Sequence, residues 1–289
     1  MSASAFQNAR RAEALGARLP PLLVAAQRVA NTVAQGVHGR RRVGQGDSFW
    51  QFRPFAQGDS IARIDWRASA KSDRNFIRET EWEAAQTVYL WRDGSPSMDW
   101  RSGAAAPYKR ERADLILLAL AALLLRGGER VRLLGGPPRL RGGRFALEDL
   151  AEGLSGLPPG DGVPPKLPIP AHARVILIGD FLHPLDEIRP VVAAFAATSV
   201  SGYLLQVLDP AETLLPYSGR VRFQGLEREA DTLVPRVEGI RDAYATALQE
   251  QQTGLAALAA AADWRFATHR TDHSPEAALL AAYTALSAT

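Results

Sequence analysis

Three oxygen-bearing side chains recur at every second position in Asp93-Gly94-Ser95-Pro96-Ser97, directly after the run Thr87–Trp91. Carboxylate and hydroxyl oxygens are hard donors, suited to Mg²⁺, Mn²⁺ or Ca²⁺ rather than to zinc or copper. Gly94 and Pro96 favour a tight bend over a straight continuation, so the three oxygens can converge above the end of a strand. A second use of the same residues is structural: Asp93 and the serines can satisfy loop and helix-start amides. The turn alone leaves both uses open. A further acidic turn, Gly179-Asp180, follows the apolar run Arg174–Ile178.

Positioning these turns requires a scaffold. Thr87–Trp91 and Arg174–Ile178 have the β-branched, aromatic and aliphatic make-up of strands buried on both faces. Helical spacing predicts helices over Tyr108–Arg126, stopped by Gly127-Gly128, and over Phe145–Leu154, Leu185–Ala197, Asp231–Ala262 and Pro275–Leu286. Strands are predicted at Arg130–Leu134, Gly202–Leu208, Arg220–Phe223 and Trp264–Thr268, with a long loop over Asp209–Gly219. This alternation predicts an α/β fold, a doubly wound and mainly parallel sheet with helices on both faces, over residues 84–289. Ligands in such sheets sit beyond the carboxyl ends of the strands, where the strand order reverses. If the strands ending at Asp93 and Asp180 are neighbours across that point, the two carboxylates share one crevice.

Residues 1–83 read as a helical and β-rich N-terminal extension. Two helices between Ala5 and Gln35 are divided by Pro20-Pro21, an edge strand covers Asp47–Phe55, and a strand with outward charges covers Asn75–Glu83. Between them Ile61, Ile64 and Trp66 are expected to anchor to the core.

Composition narrows the function classes. With 46% hydrophobic and 22% charged residues in 289, the chain can bury a sizeable core. It has no cysteine, which excludes disulfides, thiolate catalysis and zinc-thiolate sites and suits a reducing compartment. The start lacks an apolar stretch of signal-peptide type, so the chain is expected to be cytoplasmic. Its longest apolar run, Leu115–Leu125, is far short of the roughly 20 residues of a membrane span. The net charge of +3 is mild, and Arg40–Arg42 is a basic cluster without an aromatic-interleaved face, so no nucleic-acid partner is expected.

Several blocks together resemble a known family. Phe52-Arg53-Pro54-Phe55, Gly58-Asp59, Arg63-Ile64-Asp65-Trp66, Ser69-Ala70-Lys71, Glu79 with Glu81, the Asp-Ser-Ser turn, Asp209-Pro210-x-Glu212 and Thr271-Asp272 occur in the order of the bacterial family called domain of unknown function 58. Asp93-x-Ser95-x-Ser97 with Asp180 is similar to the metal-ion-dependent adhesion site of the von Willebrand factor A fold. The resemblance implies a von Willebrand A-like fold, no established enzymatic activity, and a MoxR-type AAA+ ATPase as protein partner. It also implies Mg²⁺, or Mn²⁺ or Ca²⁺, held by Asp93, Ser95, Ser97 and Asp180. A complete site of that kind has a threonine ligand between the two acidic turns, yet no Ser or Thr occurs between Ser102 and Ser155. Gly135–Arg144 offers Arg139, Arg141 and Arg144 instead, and an arginine there would oppose a cation. Two readings follow: a Mg²⁺ site completed by water, or an ion-paired relic. The expected function is a non-enzymatic interaction module whose metal has an open vertex for a partner's carboxylate. The alternative is a metal-dependent hydrolase in the same acidic cleft, for which His183 is the histidine nearest an acidic turn; His269 and His273, beside Asp272, read as surface groups.

Overall fold

The computed structural model describes residues 24–31, 33–34, 49–56, 61, 64–70, 74–80, 86–103, 106–136, 145–227 and 229–287. Two compact units divide the chain, one of Met1–Gly36 with Thr87–Thr289 and one of Val37–Gln86. In the first, residues 24–31 and 33–34 are helical (α1) and bury Ala26, Val29, Ala30 and Val33 at helical spacing.

In the smaller unit, β1 (Phe49–Pro54) pairs antiparallel with β2 (Phe76–Thr80). A single helical turn, α2 (Trp66–Ser69), is tied to β2 by the Ser69 hydroxyl, which accepts from Phe76 N–H at 2.9 Å. Ile64 is buried and bridges to Ile77, as an anchor should. Ile61 and Trp66 are not anchors: they are 67% and 63% exposed, Trp66 because a single turn of helix can turn only one side toward a two-stranded ribbon. Pro20-Pro21, Arg40–Arg42, Gly58-Asp59, Arg63, Lys71 and Glu81 lie outside the described residues.

The larger unit is built on a five-stranded sheet, parallel throughout, of β3 (Thr87–Arg92), β4 (Arg130–Leu133), β5 (Arg174–Gly179), β6 (Ser201–Leu208) and β9 (Arg265–Arg270), in the order β4-β3-β5-β6-β9. The chain steps from β3 outward to β4, then returns across β3 to β5, so the order reverses between β3 and β5. Parallel strands need long crossovers, and helices fill them. On one face α3 (Lys109–Arg126) packs with α4 (Ala146–Gly156) and α8 (Pro275–Ser287). On the other, α5 (Leu185–Ala196) packs with α7 (Arg241–Ala261) over Trp91, Val175, Leu177 and Leu204. Because both faces are covered, β5 is buried from Val175 to Gly179 and the run Ile116–Leu124 of α3 is buried without a break.

Two expected elements differ. Asp209–Gly219 is not simply loop: Asp209 caps a short helix, α6 (Pro210–Leu214), with Glu212 at its third position and Pro210 at its first, the residues a helix start favours. The predicted helix over Asp231–Ala262 starts only at Arg241. Before it, Thr232–Val234 forms β8, antiparallel to β7 (Val221–Phe223), and Val237–Ile240 forms a 3₁₀ turn. Pro235 explains the late start, since the residue before a proline is held out of the helical region. No helix among the described residues is long and apolar enough to cross a membrane.

Candidate functional site

The reversal point brings the two acidic turns together. Asp93 N–H donates to the carbonyl of Ile178 at 2.8 Å, so the first residue beyond β3 is still pinned to β5. Gly179 makes the approach feasible, because a Cβ there would lie 2.9 Å from the Cβ of Asp93 and 3.1 Å from its Oδ2. Ser95 N–H donates to Asp93 Oδ1 at 2.8 Å and closes the turn. A 3₁₀ turn over Pro96–Asp99 then sets Ser97 above the second carboxylate: its hydroxyl donates to Asp180 Oδ2 at 2.6 Å and lies 2.9 Å from the hydroxyl of Ser95. Asp93, Ser95, Ser97 and Asp180 therefore form one contiguous corner, and Asp93, Ser95 and Asp180 are fully or almost fully buried.

A cation that the sequence did not flag stands at this corner. Lys109, the first residue of α3, is fully buried and donates to Asp180 Oδ2 at 2.9 Å and to Glu212 Oε1 at 2.5 Å. Glu212 is held by the cap of α6, where Asp209 N–H donates to its Oε2 at 2.8 Å. Gln206, buried in β6, donates to the main-chain carbonyl of Asp180 at 2.8 Å.

The electrostatics follow from this geometry. Burial pushes the Asp180 carboxyl up, but the Lys109 ammonium and the Ser97 hydroxyl outweigh it and hold the group below the usual carboxylate range. Burial likewise opposes the charge on Lys109, yet Asp180 and Glu212 raise its pKa above the ordinary lysine value. One ammonium cannot serve both acids equally, and at Glu212 burial prevails and raises the carboxyl despite Lys109. Asp93 has no ammonium of its own. Burial first, and then the charge of Asp180, raise its pKa over the opposing hydrogen bonds from Ser95. Its Oδ2 is buried without a hydrogen-bond partner among the described residues. Neighbouring guanidiniums are committed elsewhere: Arg92 donates to Asp114, to the Asp93 carbonyl and to the Leu154 carbonyl, and Arg110 donates to Asp99 and the Ser95 carbonyl.

These residues fit a hard cation on the Asp93 side of the corner. The orphaned Asp93 Oδ2 and the two adjacent hydroxyls are oxygen donors, whereas the Oδ2 of Asp180 is already shared between Ser97 and Lys109. Among the described residues no three acidic or imidazole groups come close enough to hold an ion by themselves, so the serine hydroxyls are integral to any such set. Arg139, Arg141 and Arg144 lie outside the described residues, and among the described residues Lys109 is the ion-pair partner at the corner.

The histidines divide. His183 sits at the rim with its Nε2 3.4 Å from Glu227 Oε2. His269 is a correction to the expectation of a surface group: it is buried in β9, its Nε2 has no partner among the described residues, and burial, aided by the charge of Arg112, pushes its pKa down to about 4. His273 is exposed. Sequence reasoning also missed Gln206 and Glu227, which carry no local signal.

Residues 51–139 and 167–254 match the family described as "Protein of unknown function DUF58", and the chain belongs to that family. Uncharacterized proteins of Mycobacterium tuberculosis and Mycobacterium bovis are each 26% identical over 258 residues, covering 84% of this chain and 80% of the relative. Among solved structures, the conserved hypothetical protein BatB from Bacteroides thetaiotaomicron is 13% identical with a TM-score of 0.40, covering 71% of this chain and 100% of that one.

Proposed function

From this family membership and the corner at the sheet reversal, we propose that the chain is a non-enzymatic docking module, von Willebrand A-like, with an adhesion-type cation site. Asp93, Ser95 and Ser97 hold the ion, with Asp180 beside them. The observation that carries the reading is the fully buried Asp93 carboxylate whose Oδ2 meets no donor among the described residues, since an uncompensated buried carboxylate is costly and a cation would relieve the cost. A bound Mg²⁺ or Mn²⁺ would supply an open vertex for the carboxylate of a protein partner. A MoxR-type AAA+ ATPase as that partner rests on the family resemblance alone.

Lys109 favours a second reading, in which its ammonium already neutralises the corner and docking is independent of metal. One titration separates the two. On the first reading, Mg²⁺ or Mn²⁺ at about 100 times its Kd stabilises the wild type by roughly 2.7 kcal/mol, and Asp93→Ala folds but shows no gain. A wild type indifferent to millimolar Mg²⁺ and Mn²⁺ selects the second reading. Capture of a purified MoxR-type ATPase with and without EDTA then tests the partner.

A further inference from the structure

The segment that presents Asp180 is gripped from α7, and the residues that grip it are glutamines. Phe181, directly after Asp180, has a left-handed backbone (φ 48°) although it is fully buried with its ring 6.1 Å from that of Trp91. For a bulky residue that conformation is an outlier, and it persists only where the surroundings over-determine it. Gln251 supplies such a constraint: its amide nitrogen donates to the Phe181 carbonyl at 2.9 Å and to the His183 carbonyl at 2.8 Å, one N–H on each side of Leu182. The next residue, Gln252, donates to Gln206 Oε1 at 3.2 Å, and the fully buried Gln206 passes the contact on by donating to the Asp180 carbonyl at 2.8 Å. An amide carries a donor and an acceptor together, which such a relay requires. Two turns earlier on α7, the Tyr244 hydroxyl donates to the Glu212 carbonyl at 2.6 Å. Both acids that share Lys109 are therefore fastened to one helix.

Further along, the same helix buries Leu255, Leu258 and Ala259, the side chains that packing alone asks of a face turned to the sheet. Adjacent glutamines there serve the loop. We propose that Gln206, Gln251 and Gln252 are positioning residues of the cation site. They fix the Asp180 carboxylate where its Oδ2 accepts from Ser97 and Lys109, and a Ser97 hydroxyl anchored in that way stays 2.9 Å from the hydroxyl of Ser95, on the Asp93 side of the corner. This inference rests on the docking-module reading of the corner. Its consequence is that α7 governs the site without touching the ion: a shift of this helix is transmitted to Asp180 through three amides.

The experiment is a calorimetric titration of the full chain with Mn²⁺, well below the melting temperature of each variant, so that lowered stability by itself leaves the Kd unchanged. Wild type, Gln206→Met, Gln251→Met, Gln252→Met and the double variant Gln206→Met with Gln252→Met are compared. Gln249→Met, the same change at an exposed position of α7, is the control. Methionine keeps the length of the side chain and deletes its amide. Gln206→Met and Gln251→Met are expected to bind Mn²⁺ about tenfold more weakly, and Gln249→Met as the wild type does. Because Gln252 acts through Gln206, the double variant is expected to bind no more weakly than Gln206→Met. Gln251 is only half-buried, so its variant keeps the test decisive if the chain does not fold with methionine at the fully buried position 206. Wild-type affinity in Gln251→Met overturns the inference alone, as does an equal loss in Gln249→Met or full additivity in the double variant. Absence of Mn²⁺ binding to the wild type removes the cation site itself, and with it this inference.

Discussion

Replacing Lys109 by methionine keeps the length of the side chain and its apolar stem while deleting the ammonium that Asp180 and Glu212 share. The pair is fully buried on the lysine side and almost fully on the aspartate side, so solvent screens little of the effect. Removing one partner of a buried ion pair typically costs about 3–5 kcal/mol, mostly because the charge left behind has nothing to oppose it. For a unit of this size each kcal/mol moves Tm by about 2–4 °C, so a fall of roughly 6–20 °C is expected. The measurement is urea denaturation at pH 7 in EDTA, with Asp180→Asn and the double variant completing a cycle. Because the two side chains share one hydrogen bond at 2.9 Å, the double variant should be less destabilised than the sum of the singles, by about 1–3 kcal/mol. A Lys109→Met chain within about 1 kcal/mol of wild type, or strict additivity in the cycle, would show that the ammonium does not hold the corner together.

Burial, and then the charge of Arg112, push the His269 imidazole down to about 4 in the fold, against an ordinary 6.5. Between those values the unfolded chain binds a proton that the fold does not, so stability is lost as pH falls from about 6.5 to about 4, by roughly 3 kcal/mol in total. His269→Gln should flatten that segment of a stability curve measured by denaturation from pH 7 to pH 4, and an unchanged slope would refute the assignment. Gly179→Ala places a methyl 2.9 Å from Asp93 Cβ and 3.3 Å from the Trp91 ring, and should cost about 1–3 kcal/mol and abolish the Mg²⁺-dependent gain. Gly156→Ala, where a methyl meets nothing within 4 Å, is its control and should be neutral or stabilising by up to about 1 kcal/mol.

The scaffold was legible because its central strands are buried on both faces. Val88, Leu90 and Trp91 in β3 and Val175–Gly179 in β5 are buried, and such apolar cores, with a polar turn after each, mark the carboxyl ends of adjacent parallel strands before any pairing is known. Asp93 and Asp180 were readable for the same reason. Lys109 was not: a lysine opening the helix Lys109–Arg126 ordinarily points to water, and only the tertiary meeting of Asp180 with Glu212 gives it a buried use. Glu227 lies in a connection with no periodicity, so nothing local separates it from the exposed Glu229 two residues away. The stretch before Arg241 has apolar residues at helical spacing, yet Pro235 holds the residue before it out of the helix, and Asp209-Pro210-x-Glu212 is a cap on a helix too short to show any periodicity.

The central claim is that the orphaned oxygen of Asp93 awaits a hard cation. The most direct measurement is anomalous diffraction from crystals grown with MnCl₂. One manganese peak bonded to Asp93 and flanked by the hydroxyls of Ser95 and Ser97 is expected, absent in crystals of Asp93→Ala. A corner that stays metal-free at millimolar Mn²⁺, with Lys109 still bridging Asp180 and Glu212, would contradict it.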